Sequence, residues 1–370
     1  MWAIWRLYGI ITHMFRQDEY DIPCAIWRLW LPVAALVAIL AGCATIPKLD
    51  TANPAEEIRR FYVEEVGDPN CSVAIVHDGH IVYAGDEHAI YRIGSLTKLF
   101  VAELAERMAV KGEIDLDAPV TRCSKYALAP AYGSVTLRDL MTHRSGLPID
   151  FLNPWNPLDW HVALMCGLTG SSLYGAFNSQ EDFVKYANSS RTLRFLAARE
   201  PAYSNVGFAL FATALEDAAG KSISDMFRTG IAEPMGLDDT SFLPSAEQKK
   251  RLVRPSAGKL PWLYRRGSQV PVHEPGRALI GMGGLYSSAA DCAKFFSSCD
   301  LTRPGRLAPR VLPSGRTTDY RFGMIYGGES FLCRDRATGD ILLILRNVTS
   351  WPATEDFTLA DRLFSNHLTF

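Results

Sequence analysis

Ser95-Leu96-Thr97-Lys98 sets a hydroxyl and an amine three residues apart, at the head of an apolar, helix-like run over 99–105. At that spacing both side chains lie on one face of a helix. A neutral lysine can take the proton of a neighbouring hydroxyl, but a lysine in bulk water, with a pKa near about 10, cannot. The pair therefore makes chemical sense only inside a cleft. Tyr203-Ser204-Asn205 is a second polar cluster, on a loop ahead of an apolar stretch. A tyrosine relays a proton when nearby cations depress its pKa, and an amide can orient a lysine or a substrate carbonyl. The same three residues also suit a purely structural role, with Ser204 or Asn205 capping a helix and Tyr203 packed beneath it.

The elements that must position these groups follow from periodicity. Residues 58–66 carry Ile58, Phe61, Tyr62 and Val66 near helical spacing, which predicts a first helix. Residues 71–76, the Asp78-Gly79 pair and residues 81–83 predict a β-hairpin. Tyr91-Arg92-Ile93 is a short extended segment leading to Ser95, and Gly112 ends the helix that Ser95 opens. From 136 onward the pattern is helical and irregular, with helices near 206–219 and 222–232, a change of pattern at 281–285, and a further helix holding Asp291, Phe295 and Phe296. Strands are expected at 330–333 and 341–345, with a turn at 337–340, and a last helix over 357–364. Strands at both ends with helices between them predict an α+β fold. An antiparallel sheet is flanked by helices, and a mainly helical subdomain is inserted. Residues 58–135 and 275–370 would form the sheet unit and 136–274 the insertion. The cleft between them is the expected pocket.

Residues 29–42 form an apolar run behind Arg28 and end at Cys43. Roughly fourteen residues are short of the ~20 that a membrane span needs, so the run reads as a signal peptide. Asp18, Glu19 and Asp21 stand where a basic region belongs, which leaves Met14 as an alternative start. Residues 43–57 read as a polar tether. The remaining ~310 residues suffice for one large domain or two intimate ones. The formal net charge is −2 with scattered basic residues, which excludes a nucleic-acid footprint. Eight cysteines include no Cys-x-x-Cys pair, and the eight histidines form no spaced ligand set, so no metal or other cofactor is expected. Six cysteines outside Cys24 and Cys43 could meet oxidising conditions, and their pairing is open.

Several segments together resemble the serine β-lactamase-related superfamily, especially its class C branch of β-lactamases, D-Ala-D-Ala carboxypeptidases and esterases. Residues 92–98, Arg-Ile-Gly-Ser-Leu-Thr-Lys, resemble its first motif. The resemblance implies Ser95 as the acylated nucleophile and Lys98 as proton acceptor. Residues 140–148, with Thr142, His143, Ser145, Gly146 and Leu147, resemble its threonine-histidine-x-serine-glycine-leucine segment. Tyr203-Ser204-Asn205 resembles the tyrosine-x-asparagine motif, which implies a proton-relay role for Tyr203 and substrate orientation by Asn205. Residues 233–242 resemble the end of the helical region, and 283–291 the glycine-glycine-leucine segment before a helix. The match covers about residues 60–348, in family order. Residues 40–43, Leu-Ala-Gly-Cys, resemble the bacterial lipobox. That resemblance implies lipidation of Cys43 and anchoring in the bacterial membrane. Ala44, not Asp, follows the cysteine, which in Gram-negative bacteria implies the outer membrane, facing the periplasm.

The third motif departs from the family. Lys or His, any residue, then Gly is expected on a strand beside the nucleophile, and no such triplet occurs in the expected region. Counting back from Asn347 reaches Arg321-Phe322-Gly323, with Gly327 where a following family glycine belongs. Tyr326-Gly327-Gly328 is the competing placement. Arg321 keeps a positive charge, but its planar fork differs from Lys or His. The resemblance then implies acyl transfer through a covalent intermediate, with an oxyanion held by the Ser95 N–H and one from the 323–331 strand. The substrate would be an ester, a β-lactam or a peptidoglycan peptide. A D-Ala-D-Ala carboxypeptidase, a penicillin-binding protein and a degenerate envelope-binding protein of the same fold are the alternatives.

Overall fold

Asp78 and Gly79 both take positive φ, 47° and 81°, the turn that matches strand twist in a two-residue hairpin. They join β1 (Ser72–His77) to β2 (His80–Ala84). The computed structural model describes residue 49 and residues 52–151, 177–196, 202–257, 276–325, 328–349 and 354–366. The remaining strands are β3 (Tyr91–Arg92), β4 (Ser256–Ala257), β5 (Tyr286–Ser287), β6 (Ala308–Val311), β7 (Thr317–Ile325), β8 (Gly328–Asp335), β9 (Ile341–Arg346) and β10 (Val348–Thr349). The main sheet runs β2-β1-β9-β8-β7-β6, antiparallel throughout. The N-terminal hairpin thus docks on C-terminal strand β9, with Ile75 opposite Leu342. The fold is the expected α+β arrangement, a helix-flanked antiparallel sheet with an inserted helical subdomain.

Helix α1 (Pro54–Phe61) starts four residues before the expected point. The Asn53 side chain accepts the Glu56 N–H, and Pro54 occupies the first helical position, a strong start signal. Residues 54–57, expected in the tether, therefore belong to this helix, and Ala55 is buried. A wider turn, Tyr62–Val66, continues it to Gly67. Cys43, the apolar run at 29–42 and Cys166 lie outside the described residues. Among the described residues no helix is long and apolar enough to cross a membrane, and Cys71, Cys123, Cys292, Cys299 and Cys333 are free thiols.

Helix α2 (Thr97–Val110) is the centre of the molecule, buried from Thr97 to Ala102 and again at Leu104, Ala105 and Met108. Helices that are buried all round belong to cores. Phe100 stacks at 3.8 Å on Phe295 of a later helix over 289–298, with Phe227 and Phe296 closing the cluster edge-on or tilted. The helical region supplies α3 (Leu137–Met141), α4 (Gln180–Ala187), α5 (Asn205–Ala219) and α6 (Ile223–Phe227). The helix over Ala289–Ser298 is α7, and α8 (Thr354–Ser365) closes the chain's described part. Phe357 of α8 meets Tyr320, Phe322 and Phe331 edge-to-face at 4.8, 5.5 and 5.4 Å, which fixes the back of β7 and β8.

Strands β6 and β7 escape the hydrophobic pattern, because Asp319 and Arg321 occupy buried positions of β7. The stretch 323–331 is likewise not one strand: β7 ends at Ile325 and β8 begins at Gly328. Tyr326 and Gly327 lie outside the described residues.

A buried ionic group ties the ends of the chain together. Arg346 pairs with Glu329 at 2.7 Å and Asp356 at 3.4 Å, and Tyr62 donates to Asp356. Arg346→Met would leave two buried carboxylates without their cation, and removing one partner of a buried pair costs on the order of 3–5 kcal/mol. Urea unfolding of wild type and R346M should show a loss of that size.

Candidate active site

Ser95 lies in a single 3-10 turn, Gly94–Leu96, immediately before α2. Leu96 N–H closes that turn on Ile93 O, which presents the half-buried Ser95 side chain at the helix head. Two backbones press on the turn. Gly94 has φ +50°, and a methyl group there would sit 2.7 Å from the Met324 nitrogen. A methyl group at Gly323 would sit 2.1 Å from Ile93 O and 2.2 Å from Ser330 Oγ. Real side chains cannot come so close, so glycine at both positions lets β7 lie against the Ser95 turn. Ser330 Oγ donates to Ile93 O at 2.8 Å and pins β8 to the same turn.

One helical turn on, Lys98 Nζ donates to Ser95 Oγ at 2.9 Å and to Met282 O at 2.6 Å. Lys98 is only 2% exposed, and burial lowers its ammonium pKa from the ordinary lysine value. Tyr203 OH donates to Ser95 Oγ at 2.7 Å. Burial alone would raise this phenol, but the Lys98 and Arg321 cations outweigh it and hold its pKa below the usual tyrosine value. The structure thus brings Ser95, Lys98 and Tyr203 together on one oxygen. Ser204 also caps α5, its Oγ accepting the Gly207 N–H at 2.8 Å. The capping reading of Tyr203-Ser204-Asn205 is thus met at Ser204, while Tyr203 lies within hydrogen-bond reach of Ser95.

Asn205 departs from expectation. Its Nδ2 donates to Asp150 Oδ2 at 3.4 Å and its N–H to Ile149 O at 2.8 Å. Met282 O, not Asn205, takes the second proton of Lys98. The side chain is half-buried at the start of α5. Arg321, 8% exposed on β7, donates through Nε to Arg306 O at 2.5 Å and through Nη2 to Gly305 O at 2.7 Å. Its guanidinium carbon lies 5.4 Å from the Tyr203 ring centre. The cation is therefore at the site, but two of its donors are committed to main-chain carbonyls.

His143 is a site residue that carries no role in the sequence reading beyond its motif. Its backbone takes φ +60°, and its Nδ1 accepts the Ser204 N–H at 3.3 Å. The ring lies 4.6 Å from that of Tyr203. Burial, then Arg321 and Lys98, push its pKa well below the ordinary histidine value, so it stays neutral. The positive φ is the physical signal that a local pattern cannot show.

The chain belongs to the beta-lactamase family, whose model matches residues 59–338. Over 232 residues it is 30% identical to the D-alanyl-D-alanine-carboxypeptidase/endopeptidase AmpH of Escherichia coli (strain K12), covering 60% of this chain and 53% of that protein. Over 250 residues it is 29% identical to Esterase EstB of Burkholderia gladioli, covering 62% of each. The chain thus spans between half and two thirds of the length of these relatives. Among solved structures, the octameric penicillin-binding protein homologue from Pyrococcus abyssi superposes with a TM-score of 0.67 at 20% identity, covering 86% of this chain and 78% of that one. The class C beta lactamase from Rhodobacter sphaeroides superposes at 0.61 and 16% identity, covering 85% and 99%. These likenesses show the fold. The family is one of serine hydrolases that act on ester, amide and lactam substrates.

Gly323→Ala tests the contact between β7 and the nucleophile turn. A displacement of about 1 Å at reacting groups costs on the order of 100-fold in rate. Serine-directed labelling by a fluorophosphonate, followed by intact mass, should slow by about that factor in G323A.

Proposed function

We propose that this protein is a serine hydrolase that cleaves uncharged acyl esters through an acyl-enzyme on Ser95. The observation that carries the reading is the pair of donors, Lys98 Nζ and Tyr203 OH, on one Ser95 oxygen. Ser95 Oγ attacks the substrate carbonyl carbon as its proton passes to the Lys98–Tyr203 pair. The lowered pKa of each group eases the loss of its own proton, which a base needs before it can take one from Ser95. The Ser95 N–H and the Met324 N–H, beside Gly94, hold the oxyanion. Tyr203 then returns a proton to the leaving alcohol. Water, deprotonated by the same pair, attacks the ester carbonyl, and the proton goes back to Ser95 as the acid leaves.

The placement of Arg321 supports esters over carboxylate-bearing substrates. A carboxylate-bearing substrate needs a free cation beside the nucleophile, and Arg321 is buried with its fork turned to Gly305 O and Arg306 O. Asn205 and Gly323 complete the substrate-facing wall. The likeness to Esterase EstB supports the ester reading. The likeness to AmpH supports a second one, cleavage of D-alanyl peptides of peptidoglycan.

The experiment that decides is kcat/KM for p-nitrophenyl butyrate, nitrocefin and a D-Ala-D-Ala peptide on one preparation. The ester should lead by at least about tenfold, roughly 1.4 kcal/mol of transition-state stabilisation. A lead of the peptide by that factor would establish the second reading instead. All turnover and any fluorophosphonate adduct should vanish in Ser95→Ala. A wild type without Ser95-dependent turnover or adduct would leave a binding protein of this fold.

For location, we propose lipid on Cys43 and anchoring in the bacterial envelope, with residues 1–42 removed. The support is the Leu40-Ala41-Gly42-Cys43 run behind an apolar segment. Detergent-phase partitioning should retain the wild type and release Cys43→Ala. Equal recovery of both in the aqueous phase would remove the anchor.

A further inference from the structure

Arg306 is a second buried arginine with no part in the chemistry described above. Its side chain is 1% exposed, and Nη2 pairs with Glu103 at 2.7 Å and Glu106 at 2.5 Å. Both carboxylates belong to α2, the helix that Ser95 opens. Nε and Nη1 of Arg306 have no hydrogen-bond partner among the described residues. A buried guanidinium left with unpaired nitrogens is costly, so stability alone is a poor account of its presence.

The backbone beside Arg306 suggests its use. Gly305 takes φ +78° and rests directly on Thr142, where a methyl group would come within 2.5 Å of Cα. Thr142 precedes His143, whose ring lies against Tyr203. The carbonyls of Gly305 and Arg306 are the two acceptors that hold Arg321. We propose that Arg306 is a positioning residue of the catalytic centre: its ion pairs with Glu103 and Glu106 tie the 305–306 carbonyls to the nucleophile's own helix, and those carbonyls hold the Arg321 cation against Tyr203. The inference rests on the hydrolase reading of Ser95, and it assigns a function to a cluster outside the cleft.

Three groups face Tyr203. Lys98 comes from α2, Arg321 from β7 and the neutral His143 from the segment after α3; Asp150 acts on Lys98. If the 305–306 loop loses its anchor, the Arg321 cation moves away from the phenol. A phenol with less positive charge beside it loses its proton at higher pH. The rate of Ser95 acylation should then need higher pH.

The test is the pH dependence of fluorophosphonate acylation, read by intact mass on the full chain. Arg306→Met should move the acid limb upward by about half a pH unit or more, which is a loss of about threefold on that limb. Arg306→Lys, which keeps a cation for Glu103 and Glu106, should leave the limb close to its wild-type position. Arg321→Met alone should move the limb in the same direction, and adding Arg306→Met to it should move it no further. An unshifted limb in Arg306→Met, or a further shift in the Arg321→Met background, would overturn the proposal. If Arg306→Met does not fold, Glu103→Gln weakens the same anchor with little change of shape, since the other partner of Glu103, Arg107, lies on α2 itself; it carries the same expected and contrary results. Absence of any Ser95-dependent adduct in the wild type would instead refute the hydrolase reading, and the positioning role with it.

Discussion

Everything at this site depends on the close approach of two backbones. Strand β7 lies against the Gly94–Leu96 turn, and only the missing Cβ atoms of Gly94 and Gly323 allow it. The contact does three things at once. It places the Met324 nitrogen beside the nucleophile turn, sets Arg321 two residues back along the strand, and lets Ser330 bond to Ile93. The aromatic contacts of Phe357 with Tyr320, Phe322 and Phe331 hold the strand from behind. The front of β7 is thus left to backbone and charge, and its back to apolar packing.

Electrostatics in the cleft follows from burying two cations near one phenol. Burial works against the charge on Lys98 and against ionisation of Tyr203, yet the two groups respond differently. Lysine loses its proton more easily because its charged form is desolvated. Tyrosine also loses its proton more easily, because the nearby cations outweigh desolvation. The two shifts are coupled, since the Lys98 charge is one of the two that lower the phenol. The cations remain tolerable because main-chain carbonyls of Met282, Gly305 and Arg306 accept hydrogen bonds from them.

Membership of the beta-lactamase family accounts for the serine, lysine and tyrosine, while the third motif shows how this chain differs. Arginine brings a wide, planar fork where a compact cation or an imidazole stands in the family pattern. Here that fork is engaged by two adjacent main-chain carbonyls, those of Gly305 and Arg306. The outcome is a site in which Ser95, Lys98 and Tyr203 converge while the guanidinium of Arg321 is engaged by main-chain carbonyls.

The sequence alone determined the local features. Ser95 and Lys98 share a helix face by spacing, the Asp78-Gly79 pair sets a hairpin, and the apolar runs of β8 and β9 read as buried strands. Motif order also carried the family. Helix α1 was misplaced by four residues although its Asn53-Pro54 start signal is local. What only tertiary structure decided is non-local. Strand β7 carries charge at buried positions, so periodicity could not mark it. The partner of Asn205 is 55 residues away, and Arg306 meets carboxylates some two hundred residues earlier. The direction of Arg321 depends on two carbonyls in a loop 15 and 16 residues away. A backbone carbonyl is present at every residue, so no side-chain pattern reveals which ones the fold will bring to a buried charge.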